Sequence, residues 1–563
     1  MMRRKQLATI FCAGLLAFMA GGLSAAEEPA LHEKIDQQIE AAFNFEPAPA
    51  ADDAEFLRRV YLDLTGTIPS LAETQAFLQD QTANKRASVI DRLLDSPQYV
   101  RHMQQVFDVA LMLRRPDKFV KAPEWQAYLR QSFAENKPYN QLAAEILAPD
   151  LSQGTPPSAK FYMERDCEPN LLTRDVGRLF MGRDMQCAQC HDHPLIDGYK
   201  QDHYFGIFAF LNRTYLFTDK AKKTTLLAEK GEGGVTFVSV FDPKKETHQT
   251  GPKIITGAPI VEPEFKKGEE YIGKPGKDEA GTPKFSRREQ LALLATSGDC
   301  ESFNLNISNR LWAMMMGRGL VHPVDMHHPE NPPSHPELLK LLTDEFVAMG
   351  FDIKAFLRQL ALTRTYQRSS LPPENMTAEQ AEPARFAVAI LKPLTPEQLA
   401  WSLLEASGTA EANRTAEVRR LEADKRLNDI FQVDARGQRL LADMVEQAVY
   451  PKLSPTLSQF IGLFGSAPGD PEGDFQATVH QALFMTNGPT LKGWTTAVAS
   501  RAANHSELPD NIQELYLRVL SRPPAADEAA ETLEYIIRHP DRKAALEEIA
   551  WALLTSTEFR FNH

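Results

Sequence analysis

The stretch EFLRRVYLDLTG, residues 55–66, carries the pattern that recurs along most of this chain. Phe56, Val60 and Leu64 lie four residues apart, and an α-helix places such positions on one face. The segment RASVIDRLL, residues 86–94, repeats apolar positions at helical spacing. The pattern therefore predicts amphipathic helices that pack their apolar faces into a shared core.

Segments with the same spacing continue outward from this stretch to the C terminus. The clearest are LNISNRLWAMMMGRGL (305–320), PELLKLLTDEFVAMG (336–350), AFLRQLALTRTYQ (355–367), TPEQLAWSLLEASG (395–408) and HQALFMTNGPTLKGW (480–494). A different texture separates the helical regions, because GGVTFVSVFDP, residues 233–243, alternates apolar and polar positions as a strand does. The sequence therefore predicts a mainly α, multi-helical two-domain protein with a small β-rich insertion between the helical regions.

The expected organisation has four parts, since 563 residues are too many for one hydrophobic core. These parts are a signal peptide at 1–26, an N-terminal helical domain at 27–215 that contains the motif CAQCH, a β-rich insertion or connector at 216–285 and a C-terminal helical domain at 286–563.

The opening stretch also resembles one near the C terminus. RVYLDLTGTIPSLAE, residues 59–73, can be aligned with ELYLRVLSRPPAADE, residues 514–528. Each is followed by a Leu-Leu-x-Ser-x-x-aromatic sequence, at 93–99 and at 553–559. Two interpretations stay open, a duplicated helical unit and the general likeness of helix–turn–helix pairs to one another.

Charge and motifs exclude several classes of function. The formal net charge is −13, and the sequence shows no cluster of basic residues that would form a cationic face. We therefore expect no nucleic-acid partner. The chain contains no G-x-S-x-G, no Gly-rich phosphate loop and no H-E-x-x-H, so the sequence does not support a conventional hydrolase and assigns no enzyme activity.

The first 30 residues, MMRRKQLATIFCAGLLAFMAGGLSAAEEPA, have the pattern of a secretory signal peptide. Three basic residues precede an apolar run from Leu7 to Met19, and small residues precede Glu27. A membrane anchor is the alternative, but about 20 apolar residues are needed to span a bilayer. We therefore expect export to the periplasm or cell envelope, no transmembrane helix after cleavage, and removal of Cys12 with the signal.

The stretch QCAQCHDHP, residues 186–194, carries the chemistry of the chain. Its C-x-x-C-H core is the c-type haem attachment pattern, in which two thiols add to the haem vinyl groups and the adjacent histidine binds the iron. Cys187, Cys190 and His191 are therefore the candidate residues for a covalent haem c, with His191 as the proximal ligand. The expected export favours this interpretation over a cytosolic thiol site.

Two alternatives to haem stay open for this motif. Cys187 and Cys190 supply half of a tetrahedral site for zinc or another transition metal, with Asp192 and His193 as further candidate ligands beside His191. The two cysteines also have the spacing of a redox-active or structural disulfide.

Other histidines are candidates for a sixth iron ligand or for a bare metal ion. His203 follows the motif closely, and His335 belongs to the downstream stretch VHPVDMHHPENPPSHPELL, which also contains His322, Met326, His327 and His328. A histidine in a proline-rich stretch is more often a turn residue than a ligand. Cys167 and Cys300 are the remaining cysteines, and the sequence leaves open whether they form a disulfide.

Several blocks together resemble an exported family that is abundant in planctomycetes and related bacteria. The blocks are FLRRVYLDLTGTIPS (56–70), LLDSPQYV (93–100), LFMGRDMQCAQCHDHP (179–194), NRLWAMMMGRGLVHPVD (309–325), HPENPPSHPELL (328–339), FLRQLALTRTYQRSS (356–370), LKPLTPEQLAWSLL (391–404) and EFRFNH (558–563). The family combines a planctomycete cytochrome-c-like domain of unknown function with a C-terminal partner domain. The resemblance implies an exported, mostly helical two-domain protein whose cytochrome label comes from C-x-x-C-H.

Two functions from different classes remain as expectations. The first is an extracytoplasmic haem c protein with a redox or electron-transfer role and a redox partner protein. The second is a non-haem binding or scaffold protein of the cell envelope, linked to a polysaccharide-related partner, in which the Cys/His motif is a structural metal or disulfide site.

Overall fold

The computed structural model describes residues 29–563 except 197, 221, 256, 433 and 472–477. The predicted signal peptide at 1–26 lies outside the described residues. Over the described ranges the chain forms 24 α-helices and four two-stranded sheets. The prediction of a mainly α, multi-helical protein is confirmed.

Ten helices precede the insertion. They are α1 (Leu31–Ala41), α2 (Asp53–Thr65), α3 (Leu71–Gln79), α4 (Lys85–Leu94), α5 (Pro97–Met112), α6 (Ala122–Ala134), α7 (Tyr139–Leu147), α8 (Lys160–Met163), α9 (Pro169–Met181) and α10 (Gln201–Leu211).

The insertion consists of three antiparallel pairs of short strands. They are β1 (Thr214–Asp219) with β2 (Thr224–Glu229), β3 (Val235–Phe237) with β4 (His248–Thr250), and β5 (Tyr271–Gly273) with β6 (Thr282–Pro283). The alternating stretch 233–243 is a strand only over its first half, because β4 offers just three residues for pairing. The three pairs form separate sheets.

Fourteen helices follow. They are α11 (Arg287–Ala295), α12 (Glu301–Met316), α13 (Pro336–Ala348), α14 (Ile353–Leu362), α15 (Pro396–Ala406), α16 (Thr409–Glu422), α17 (Lys425–Phe431), α18 (Ala435–Phe464), α19 (Val479–Asn487), α20 (Pro489–Ala502), α21 (Leu508–Leu520), α22 (Ala526–Arg538), α23 (Arg542–Thr555) and α24 (Thr557–Arg560). The last sheet pairs β7 (Lys392–Pro393) with β8 (Phe561–Asn562).

The buried apolar side chains form two clusters. The division between the clusters comes after α14 and not at the β-rich insertion. The first cluster runs from Leu31 to Phe386, so α11 to α14 share a core with the N-terminal helices. The second runs from Leu394 to Phe559 and takes in Leu62 from α2. Periodicity shows that a helix buries one face, whereas the partner of that face is decided by packing.

The two stretches aligned in the sequence have the same local structure. Both α2 and α21 end at a residue in the left-handed region, Gly66 with φ 68° and Ser521 with φ 63°. The next helices, α3 and α22, each begin with a glutamate, Glu73 or Glu528, whose side chain accepts a hydrogen bond from the amide of the residue before the helix. Further along the chain, the serine hydroxyls of Ser96 and Ser556 cap α5 and α24. These shared features favour the interpretation as a duplicated unit.

A buried arginine joins the two units. Arg58 of α2 donates hydrogen bonds to the main-chain oxygens of Val519, at 3.2 Å, and Phe559, at 2.9 Å. Both oxygens lie at ends of helices in the C-terminal unit, where carbonyls lack intrahelical partners. Hydrogen bonds from the Arg58 side chain to main-chain oxygens thus hold the two units together.

Candidate functional site

The C-x-x-C-H motif lies on a tight turn between α9 and α10. Residues Gln186–Gln189 form one turn of 3₁₀-helix, anchored by the buried Ala188, whose amide donates to the oxygen of Met185 at 2.9 Å. The side chains of Cys187 and Cys190 are exposed and unpaired. One short turn therefore presents both thiols to solvent.

The ring of His191 has a defined tautomer. Its Nδ1 lies 2.7 Å from the main-chain oxygen of Asp192, and a carbonyl oxygen only accepts, so Nδ1 carries the proton. The Nε2 atom then has a free lone pair. A histidine held in this way is prepared to bind a metal through Nε2.

The β-rich insertion covers one side of the motif. The amide of Val240 donates to the oxygen of Cys190 at 3.0 Å, and the ring of Phe241 lies 4.5 Å from the ring of His191, centroid to centroid. Val240 is 66% exposed, Phe241 73% and the nearby Leu195 80%. Large apolar side chains this exposed around one site are typical of a surface that binds an apolar group.

In this structure the side chains of Asp192 and His193 accept hydrogen bonds from nearby main-chain amides. Oδ1 of Asp192 accepts from the amide of Gln201 at 2.9 Å and so caps the start of α10. Nδ1 of His193 accepts from the amides of Leu195, at 3.2 Å, and Ile196, at 3.0 Å. Neutral His193 therefore carries its proton on Nε2. Their prediction as metal ligands remains untested.

His203 and His335 lie in different surroundings. Nδ1 of His203 lies 3.0 Å from the oxygen of Gly198, which leaves Nε2 as an acceptor, as in His191. His335 directly precedes α13 without a side-chain hydrogen bond to the helix start, and its ring lies 5.8 Å from that of Phe386, beside the first core. Of these two, the contacts place only His203 on the motif loop.

A segment that is remote in sequence, residues 325–328, packs behind the loop between α9 and α10 that carries the motif. We call this segment the wall and that loop the motif loop. The amide of Asp184 donates to the oxygen of Asp325, and the amide of His327 to the oxygen of Gly182, both at 3.0 Å. Gly182 has φ 65°, and a Cβ there would lie 2.8 Å from the ring of His327. This close approach requires glycine at the end of α9.

The sequence patterns indicated His328 but neither Tyr199 nor Arg183 as polar residues close to the motif. The ring of His328 lies 5.5 Å from that of Tyr199, which in turn lies 6.1 Å from that of His193. The Tyr199 hydroxyl, Nδ1 of His328 and Nε of Arg183 are buried without hydrogen-bond partners within the described ranges. Arg183 and His328 also line a pocket of about 440 Å³.

The other two cysteines are buried and unpaired. Burial raises the pKa of the Cys167 thiol to about 12 and raises that of Cys300 as well. Sγ of Cys300 lies 3.6 Å from the hydroxyl of Ser302 rather than against another sulfur. Neither these two nor the motif cysteines form a disulfide in this structure.

Among the described residues, no group of three or more His, Cys, Asp and Glu side chains is arranged to hold a metal ion. The side chains at the motif are of the kinds that hold a c-type haem. Two exposed thiols on one turn are followed by a histidine with a free Nε2, and exposed apolar side chains surround them.

Comparison with known families gives two matches that together span most of the chain. Residues 32–215 match PSCyt2, a protein of unknown function (DUF1549), and residues 287–536 match PSD1, a protein of unknown function (DUF1553). The chain belongs to this two-domain family of unknown function. The motif and its loop lie within the PSCyt2 part, and the wall from Asp325 to His328 lies within the PSD1 part, so the site joins the two matched regions.

Other comparisons gave no relatives of this PSCyt2–PSD1 protein. No curated protein matches it, and no solved structure does. None of the helices over the described ranges is both long enough and apolar enough to cross a lipid bilayer.

Proposed function

We propose that this PSCyt2–PSD1 protein is an exported c-type haem protein with a redox or electron-transfer role. Cys187 and Cys190 are the thioether anchors, and His191 is the proximal iron ligand. The observation that carries the proposal is the contact between Nδ1 of His191 and the main-chain oxygen of Asp192, which leaves Nε2 available for iron.

The surroundings of the motif support a haem more than a bare metal ion. A porphyrin is a large apolar group, and the exposed side chains of Leu195, Val240 and Phe241 would be covered by it. Arg183, four residues before Cys187, has no ion pair in the described part of the chain and is a cation suited to a haem propionate. A bound haem supplies one-electron oxidation and reduction.

The proposed location is the periplasm or cell envelope. Covalent attachment of haem to C-x-x-C-H suits an exported protein, and the predicted signal peptide at 1–26 supplies the route. The motif lies on an exposed turn, so a redox partner protein would approach the haem there. Weak electron-transfer contacts of this kind bury little area.

The competing proposal is a non-haem scaffold of the cell envelope, in which Cys187 and Cys190 hold zinc or form a disulfide and the partner is related to polysaccharide. His193 would have to give up the hydrogen bonds that its Nδ1 accepts in order to bind zinc through Nε2, because Nδ1 would then carry the proton. We therefore rank this proposal second.

Intact-mass measurement tests the choice. The chain is produced for export together with the haem-attachment machinery, and we expect the mature protein to gain the mass of one haem and to give a pyridine haemochrome spectrum. The Cys187→Ser, Cys190→Ser double variant is the control and should lack both signals. Protein without covalent haem but with one equivalent of zinc would overturn the proposal in favour of the scaffold.

A further inference from the structure

A lysine and an asparagine lie side by side where the end of the chain meets the rest of the protein. Strands β7 and β8 pair antiparallel, and Lys392 of β7 is directly opposite Asn562 of β8. Residues opposite each other in such a pair project their side chains from the same face of the sheet, with Cβ atoms about 4.5–5.5 Å apart. The amine of Lys392 and the carboxamide of Asn562 are therefore neighbours.

Asp63 of α2 contacts both side chains through a single atom. Its Oδ1 accepts a hydrogen bond from Nδ2 of Asn562 at 2.7 Å and another from Nζ of Lys392. Its Oδ2 accepts from the hydroxyl of Tyr366 at 2.8 Å. An amine, a carboxamide and a carboxyl group are thus joined around one oxygen atom, and we call these three residues the Lys–Asp–Asn cluster.

The Lys–Asp–Asn cluster is largely removed from solvent. Asp63 is 3% exposed and Asn562 2%, and the side chain of Lys392 is 17% exposed. Burial raises the pKa of Asp63 and lowers that of Lys392. Both shifts favour the state in which the carboxyl group holds the proton and the amine is neutral. Arg59, another cation near Asp63, is already paired with Glu55 at 2.6 Å.

Main-chain oxygens orient the amine of Lys392. Its Nζ donates to the oxygens of Met315, at 2.9 Å, and Met314, at 3.2 Å, near the end of α12. A neutral amine has two N–H groups, and these two carbonyls accept from both of them. The lone pair then faces the remaining neighbour of Nζ, on the side of Asp63 and Asn562. A desolvated lysine with a free lone pair is a nucleophile.

The carboxamide of Asn562 has an unsatisfied oxygen. Its Oδ1 is buried and has no hydrogen-bond partner among the described residues. The oxygen and nitrogen of an amide have nearly the same shape, so the group can turn over and place Oδ1 against Asp63. A protonated Asp63 then donates to this oxygen and makes the carbonyl carbon Cγ more electrophilic. The Lys–Asp–Asn cluster thus combines a nucleophile, an acid and an acceptor carbonyl.

We propose that Lys392 and Asn562 form an intramolecular isopeptide bond, with Asp63 as the acid–base group. Nζ attacks Cγ of Asn562, a new C–N bond forms, and the bond between Cγ and Nδ2 breaks. Asp63 gives its proton to the leaving nitrogen and takes one from Nζ. The products are the isopeptide and one ammonia, so the reaction needs no further reactant. The proposal is independent of haem at the motif.

The bond ties the last residues of the chain to the junction between the two cores. The first cluster of buried apolar side chains ends at Phe386 and the second begins at Leu394, so Lys392 lies between them. A covalent cross-link restricts the unfolded chain, as a disulfide does. The four described cysteines are unpaired, so the isopeptide provides a covalent tie of a different kind.

Trypsin digestion of the full mature chain, followed by mass spectrometry, tests the bond. Trypsin does not cleave before proline, so Lys392 remains inside the peptide 386–414, and the C-terminal peptide is 561–563, Phe-Asn-His. We expect one branched peptide with the summed mass of these two less one ammonia, and fragment ions that place the branch at Lys392. The intact protein should likewise be lighter by one ammonia, with or without haem.

Three variants assign the roles within the Lys–Asp–Asn cluster. Asn562→Ala removes the acceptor carbonyl and Asp63→Asn removes the acid–base group, so each should give an unbranched peptide 386–414. Asn487→Ala, at an exposed position at the end of α19, is the matched control and should keep the branched peptide.

A wild-type digest that contains unmodified 386–414 and free 561–563 would overturn the proposal and leave the cluster as a hydrogen-bonded ion pair. A branched peptide in Asp63→Asn would overturn the acid–base role of Asp63. Because the wild-type digest decides whether the bond exists, a failure of Asp63→Asn to fold does not affect that outcome.

Discussion

Nδ1 of His191 lies 2.7 Å from the main-chain oxygen of Asp192, the residue that follows it. The contact is local in sequence, yet it determines which ring nitrogen remains free. His203 makes the same kind of contact with Gly198 at 3.0 Å. His191 and His203 therefore have the same tautomer, but only His191 directly follows two exposed cysteines on one turn.

This difference gives a first prediction. In protein produced with the haem-attachment machinery, His191→Ala should show a Soret band shifted from that of the wild type, because the iron loses its proximal ligand while the porphyrin keeps its own absorbance. His203→Ala removes a histidine with the same tautomer and should retain the absorbance. Retention of an unchanged spectrum in His191→Ala would contradict the assignment of the proximal ligand.

The second prediction separates a structural role of Asp192 from a metal-binding one. Asp192→Ala removes the acceptor for the amide of Gln201, so the free energy of unfolding should fall by about 1 kcal/mol. Asp192→Asn keeps an oxygen in place and should recover most of that loss. Urea unfolding measures both. A loss of bound metal without any loss of stability would point to a ligand instead.

Local structure was predictable from the sequence where one segment determines it. The helical spacing of 55–66 predicted an amphipathic helix, and α2 forms there over Asp53–Thr65. Cys187 and Cys190 likewise share a single turn, because they are only three residues apart in the sequence.

Contacts between remote segments were not predictable in this way. His327 reaches Gly182 across more than a hundred residues, and α11 to α14 share a core with the N-terminal helices. Tyr199 and Arg183 have no motif of their own, so their place behind the loop depends on packing that a single sequence does not encode locally.

The third prediction concerns the close approach at Gly182. Gly182→Ala should destabilise the protein by roughly 1–3 kcal/mol, because φ is positive and the added Cβ would lie 2.8 Å from the His327 ring. Gly462 is the control, since it lies in α18 with open space around its Cβ position. Gly462→Ala should stabilise by roughly 0.5–1 kcal/mol. Thermal unfolding distinguishes the opposite signs.

The last prediction is a pH dependence that comes from His102. This histidine is buried in α5, and burial, followed by the charge of Arg101, lowers its pKa to about 3. The unfolded chain binds the proton near pH 6.5, so below that pH the unfolded state holds more protons. The contribution of neutral His102 to stability is complete above pH 6.5 and is lost as the pH falls towards 3. The slope approaches about 1.4 kcal/mol per pH unit within this window.

Urea unfolding of the wild type and of His102→Gln at pH 7, 6 and 5 measures this contribution. Glutamine does not titrate, so the variant should lose less stability per pH unit than the wild type, whatever its stability at pH 7. Comparing slopes removes the effect of the altered packing over Gly66, whose Cβ position lies against the His102 ring. Carboxylates titrate alike in both proteins and cancel in the difference, so equal slopes would show that His102 gains its proton in the folded state as readily as in the unfolded chain.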